Sequence, residues 1–100
     1  MHVSIDFEMD LRKVERISKA LSDPNRIKIL QEIGKKKKEC YYCTEIFSII
    51  DLAQPSISHH FKQLVDADLI IAEKEGRSMK YTLNKEVLDE YTQFLETLKI

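Results

Sequence analysis

Gln54-Pro55-Ser56-Ile57-Ser58-His59-His60-Phe61-Lys62-Gln63-Leu64-Val65 carries two different faces of one helix. Ile57, Phe61, Leu64 and Val65 stand at i, i+4, i+7 and i+8, an apolar stripe of helical period. Pro55 suits the first helical position, where its missing N–H has no intrahelical partner to lose. At about 100° per residue, Pro55, His59, Lys62, Gln63 and Asp66 point away from the stripe. Ser56 and His60 fall on one flank and Ser58 on the other. The outward edge near the N-terminus is therefore neutral and hydrogen-bonding, with Lys62 one turn further on.

The neighbouring segments give that helix a setting. Thr44 to Asp51 reads as a short helix with Ile46, Phe47, Ile49 and Ile50 inward, and Asp51-Leu52-Ala53-Gln54 joins it to the next. Two short helices so joined form a helix-turn-helix, whose second helix fits the major groove of DNA. Downstream, Leu69 to Lys74 is rich in β-formers, and Met79, Tyr81 and Leu83 alternate with Lys80 and Thr82. Glu75-Gly76-Arg77-Ser78 joins these runs as a hairpin turn, a wing.

Further out, Leu11, Val14, Ile17 and Leu21 predict a helix from about Asp6 to Leu21. Asp23 is a good N-cap and Pro24 a good first residue for the next helix. Its expected buried stripe is Ile27, Leu30 and Ile33, and Gly34 is expected to end it. Lys35-Lys36-Lys37-Lys38 then crosses solvent, and Cys40-Tyr41-Tyr42 fits a very short strand. Asn84 caps a last helix over Lys85 to Leu98. Its apolar residues Val87, Leu88, Tyr91, Phe94, Leu95 and Leu98 make a stripe too wide for one core contact, which points to a partner chain. The expected fold is mainly α with a small β-hairpin: a winged helix-turn-helix of five helices plus wing, one domain over residues 1–100.

Composition agrees with this class. One hundred residues make one domain with one modest core. Two Gly and two Pro leave little room for an all-β fold with many tight turns. Sixteen Lys and Arg nearly cancel seventeen Asp and Glu, so a nucleic-acid partner must be read from local placement rather than from net charge. The longest apolar run, Leu69-Ile70-Ile71-Ala72, is far too short for a membrane span, so no membrane partner is expected. No basic leader precedes the first helix, and two cysteines fit a reducing compartment, so a cytoplasmic location is expected.

Three segments resemble the ArsR/SmtB family of winged-helix repressors. Ala20-Leu21-Ser22-Asp23-Pro24-Asn25-Arg26-Ile27-Lys28-Ile29-Leu30 is similar to that family's opening signature, "aLsdptRlkIL". Ala53 to Leu64 is similar to its recognition helix, "sQpsvSrHLkvL". Gly76-Arg77 followed by Lys80-Tyr81-Thr82-Leu83 matches its wing. The resemblance spans roughly residues 11–98, with three motifs in the right order. It implies a homodimer built from the first and last helices, a palindromic operator in double-stranded DNA, and repression relieved by an inducer. By position it implies DNA contacts from Gln54, Ser56, Ser58, His59 and Lys62, with Arg77 and Lys80 on the wing. Ser58, on a flank of the wheel, needs the helix to tilt in order to reach DNA. His60 matches the family's histidine and, bordering the apolar face, is expected to hold a structural hydrogen bond; Arg26 is expected to anchor neighbouring backbone.

The arsenic-sensing branch of that family carries "ELCVCDL" where this chain has Glu39-Cys40-Tyr41-Tyr42-Cys43-Thr44-Glu45-Ile46. The spacing is Cys-x-x-Cys instead of Cys-x-Cys, and no third cysteine exists. Cys40 and Cys43 have three readings: a soft dithiol site for arsenite, antimonite, cadmium or zinc, a redox disulfide, or inert core. A zinc finger is excluded, since His59-His60 lacks the required gap. The family's other site needs histidine on the last helix, where Asp89, Glu90 and Glu96 stand without one.

Two functions compete: a dimeric DNA-binding transcriptional repressor, or a winged-helix module that binds protein and does not read DNA. Neutral net charge leans to the second. Gln54, Ser56, Ser58, Lys62, Arg77 and Lys80 in family positions lean to the first. An enzyme is not expected, because there is no Gly-rich phosphate loop and no nucleophile with a partnered base.

Overall fold

The computed structural model describes residues 9–35, 41–42 and 54–99. Within them the chain runs α1 (Leu11–Ala20), α2 (Pro24–Lys35), β1 (Tyr41–Tyr42), α3 (Gln54–Asp66), β2 (Ile70–Glu75), β3 (Ser78–Leu83) and α4 (Lys85–Thr97). The helix expected over Thr44 to Asp51 lies outside the described residues, so four of the five expected helices are seen. No helix among the described residues is long and apolar enough to cross a membrane.

Helix α1 starts later than its apolar spacing predicts. Asp10 is extended (φ −81°, ψ 169°) and its side chain accepts the Lys13 N–H at 2.9 Å, an N-cap that fixes the start at Leu11. Ile17 and Ala20 are buried, whereas Leu11 is 73% exposed. In α2 the expected cap is present: Asp23 accepts the Asn25 N–H at 2.8 Å. The buried stripe differs from the expected one. Ile29 and Ile33, one turn apart, are sealed in the core, while Ile27 is 41% exposed. Ile27 lies two residues from Ile29, which is more than half a turn away from the face that packs on α3 and β3. Gly34 does not end the helix, which continues to Lys35.

Helix α3 begins at Gln54, so Pro55 is its second residue, still within the turn whose N–H groups need no partner. Ile57, Phe61 and Leu64 are buried as their spacing requires. The helix ends in a Schellman turn. The Leu69 N–H donates to the Leu64 carbonyl at 3.0 Å, and the Asp68 N–H to the Val65 carbonyl at 2.9 Å. Asp68 has φ +62°, the left-handed conformation that this cap demands and that asparagine, aspartate and glycine tolerate best. Leu64 and Leu69, both fully buried, close the apolar clasp beneath it. Asp68→Val, which puts a β-branched side chain in that conformation, is expected to destabilise the fold by about 1–2 kcal/mol, read from the urea midpoint. An unchanged midpoint would show that the turn is not under this constraint.

The sheet is antiparallel with order β1-β3-β2. The hairpin is in tight register, with Ile70 opposite Leu83 and Glu75 opposite Ser78. Of its two loop residues only Gly76 has positive φ (+62°), the signature of a type II′ turn. The short strand expected at Cys40-Tyr41-Tyr42 is seen at Tyr41–Tyr42, where Tyr41 pairs with Tyr81 and Tyr42 with Lys80. Phe61 and Tyr81 stack at 4.4 Å between centroids, joining α3 to β3. Asn84 caps α4 as expected, accepting the Val87 N–H at 3.4 Å. Val87 enters the core, and Leu88, Tyr91 and Phe94 pack against it. The Ser18 and Tyr91 hydroxyls meet at 2.8 Å between α1 and α4. Leu95 (41%) and Leu98 (66%) are left in solvent, as the over-wide stripe implies.

Candidate nucleic-acid interface

The core-facing stripe of α3 fixes what its other side can offer. With Ile57, His60, Phe61 and Leu64 buried, Ser56, Ser58 and His59 are exposed on the first two turns and Lys62 on the third. Ser58 is exposed too, although the wheel places it on a flank. Gln54 is the first residue of the helix. The first turn carries no acidic side chain of its own against the positive end of the helix dipole, a setting that attracts phosphate. Lys62 is paired to Asp66 at 3.3 Å, both exposed, so its ammonium can exchange that partner for a phosphate at small cost.

On the wing, Arg77 stands exposed at the hairpin tip, in the turn that Gly76 makes possible. Lys80 differs: it is half-buried on β3, and its Nζ lies 2.7 Å from Glu75 Oε2. The expected contacts thus divide into an exposed row on α3, an exposed wing-tip arginine, and a lysine held within the wing. Cys40 and Cys43 lie outside the described residues, with strand β1 between them. Among the described residues no group of three His, Cys, Asp or Glu side chains could hold a metal ion.

Behind the exposed row sits a polar cluster. Arg26, on the first turn of α2, donates from Nε to the Ala20 carbonyl at 2.7 Å and from Nη2 to the Lys19 carbonyl at 3.2 Å. Both carbonyls belong to the last turn of α1, whose C=O groups lack helical partners. Its Nη1 lies 3.2 Å from His60 Nδ1. Asp23 Oδ2 is 3.9 Å from the same Nη1. The structural roles expected of Arg26 and His60 are both seen. Burial holds His60 below its ordinary value, against the pull of Asp23. The Asn25 N–H is the main cause holding the Asp23 carboxyl below its own. Asp23 is the member that sequence reading missed beyond its cap; its i, i+3 spacing to Arg26 was the available signal. A second missed link is the ion pair between Lys13 on α1 and Asp68 at the Schellman turn, 3.6 Å apart.

A helix-turn-helix domain family matches residues 21–71, which include α2, α3 and the start of β2. The chain is 36% identical over 90 residues to an arsenical resistance operon repressor of Staphylococcus xylosus, covering 90% of this chain and 84% of that protein. A protein of the same description from Bacillus subtilis (strain 168) is 38% identical over 76 residues, covering 76% of this chain and 70% of that one. Among solved structures, an ArsR-like transcriptional regulator from Rhodococcus sp. RHA1 superposes with a TM-score of 0.76 over 88% of this chain and 80% of that one. At 22% identity, that likeness bears on the fold alone. A buried-backed polar helix, a hairpin wing and this kinship favour the regulator over the protein-binding module: the chain belongs to the ArsR family of winged helix-turn-helix transcriptional regulators and is a DNA-binding repressor.

Proposed function

We propose that the chain acts as one winged-helix unit over its whole length, as a cytoplasmic homodimer on a palindromic operator. In this reading Gln54, Ser56, Ser58 and His59 face base edges, and Lys62, Arg77 and Lys80 face phosphates. The observation that carries it is the exposed row of Ser56, Ser58, His59 and Lys62 on a helix whose opposite side is locked into the core. Support for the dimer comes from Leu11, Leu95 and Leu98, large apolar side chains left in solvent on and beside α1 and α4. Two copies related by a two-fold axis present two reading helices to half-sites about one duplex turn apart.

The test uses a duplex that the wild-type chain enriches from a random-sequence library. Gln54→Ala is expected to narrow the gap between that duplex and random DNA by about 1–3 kcal/mol. Arg77→Ala is expected to weaken both and to lower the salt slope by about 2, one lost phosphate contact per copy. Equal losses on both duplexes for Gln54→Ala would remove base reading from that end of α3.

For the inducer, the same reading assigns Cys40 and Cys43 as a dithiol for a soft, thiophilic species such as trivalent arsenic. Its support is the donor chemistry and the likeness to arsenical resistance operon repressors. Arsenite is then expected to lower operator affinity about 5–150-fold. A Cys40→Ser/Cys43→Ser variant that dissociates like wild type would reject the assignment, and a thiol titration without oxygen separates it from a disulfide.

A further inference from the structure

The contact between α2 and α3 goes beyond holding the fold. Building on the assignment of the exposed α3 row to DNA, we propose that Arg26 and His60 are positioning residues of the reading helix. Their hydrogen bond sets α3 against the last turn of α1, and operator binding requires His60 neutral with its proton on Nε2.

The argument is one of donors and acceptors. A guanidinium has only donors, in a planar fork of fixed shape. Nε and Nη2 are already committed to the Ala20 and Lys19 carbonyls, so Nη1 is aimed at His60 with little freedom. The contact at 3.2 Å is a hydrogen bond only when Nδ1 accepts, which places the ring proton on Nε2. A second proton turns the acceptor into a donor and sets one cation against another whose side chain is 13% exposed. The bond would break, and α3 would lose this tie, through Arg26, to the last turn of α1.

Among the described residues, the groups facing His60 are few. From α2 and its cap come Arg26 itself and Asp23, the one anion nearby among the described residues. From α3 comes His59, its ring centroid 6.2 Å away. From α1 come the two carbonyls, since the Lys19 ammonium is 78% exposed and paired to Glu15. Burial and the Arg26 guanidinium outweigh Asp23, so the neutral form persists through neutral pH and its loss on acidification is pushed below the ordinary imidazole range. The residues next to His60 are those assigned to base edges, and recognition needs such groups held to about 0.5 Å. Operator affinity should therefore fall with acid.

The experiment measures Kd by fluorescence anisotropy at about pH 7.5 and about pH 5.5, at constant ionic strength. Its probes are the duplex enriched by the wild-type chain and a random duplex, with circular dichroism checking the fold at each pH. For wild type, affinity for the enriched duplex relative to the random one should drop about tenfold on acidification. In His60→Gln the amide oxygen can accept from Arg26 but does not titrate, so that chain's own ratio should stay within about twofold. Nitrogen NMR of the wild-type imidazole should show Nδ1 unprotonated at the higher pH, a readout that needs no variant to fold. A flat or rising wild-type ratio, a parallel fall in His60→Gln, or a protonated Nδ1 overturns the proposal. Failure of wild type to enrich any duplex at the higher pH would instead strike the assignment of the α3 row to DNA, leaving the NMR result to judge the hydrogen bond alone.

Discussion

Arg26→Met is expected to lower the unfolding free energy by about 3 kcal/mol, far more than any exposed cation in this chain would. Methionine keeps most of the apolar stem, so the loss isolates the guanidinium. Two acceptors lose their donor, the Ala20 carbonyl and the Nδ1 of His60, while the Lys19 carbonyl loses one of three and keeps the Ser22 N–H and hydroxyl. Hydrogen bonds to charged groups contribute about 1.5–3 kcal/mol each, and water regains part of that at the more open Lys19 carbonyl. In a domain of this size the change should lower the melting temperature by about 4–8 °C per kcal/mol. Arg26→Lys should recover only a part, since an ammonium cannot serve three acceptors in two directions. Urea denaturation followed by circular dichroism reads the result. A loss under about 1 kcal/mol would mean that the Ala20 carbonyl and His60 rehydrate freely.

Leu64→Ala should cost about 2–5 kcal/mol, toward the upper end of that range. Leu64 is fully buried between α3 and the rest of the core, and it also forms one half of the apolar clasp with Leu69 under the Schellman turn. Truncation therefore opens a cavity and loosens the reversal that leads into the wing. Val65→Ala, at a half-buried neighbour, is the comparison and should cost less than about 1.5 kcal/mol. If the two variants unfolded at the same denaturant concentration, the clasp would have no special weight.

Legibility followed the range of the interaction. The period of Ile57, Phe61 and Leu64 is local information, and so are the caps at Asp23 and Asn84 and the turn at Gly76; each stands where the residues placed it. The α2 stripe was harder, because Ile27, Ile29, Leu30 and Ile33 offer two overlapping faces and only tertiary packing selects the one through Ile29. The start of α1 was masked by apolar residues upstream, while the deciding signal was one aspartate cap. The Schellman turn gave no glycine to announce it, since Asp68 takes the left-handed position itself. At the interface, family motifs and the helical wheel brought out the exposed row. They also gave Arg26 and His60 structural roles, but not each other: they are thirty-four positions apart, and no local pattern pairs them.

Strand β1 has a consequence for how variants of this chain should be read. Its two residues join the wing through peptide groups, Tyr41 beside Tyr81 and Tyr42 beside Lys80. A ladder of that kind survives replacement of either side chain, so an alanine scan would pass over it in silence. Proline alone, by deleting a peptide N–H, would cut the link between the bicysteine segment and the wing's spine.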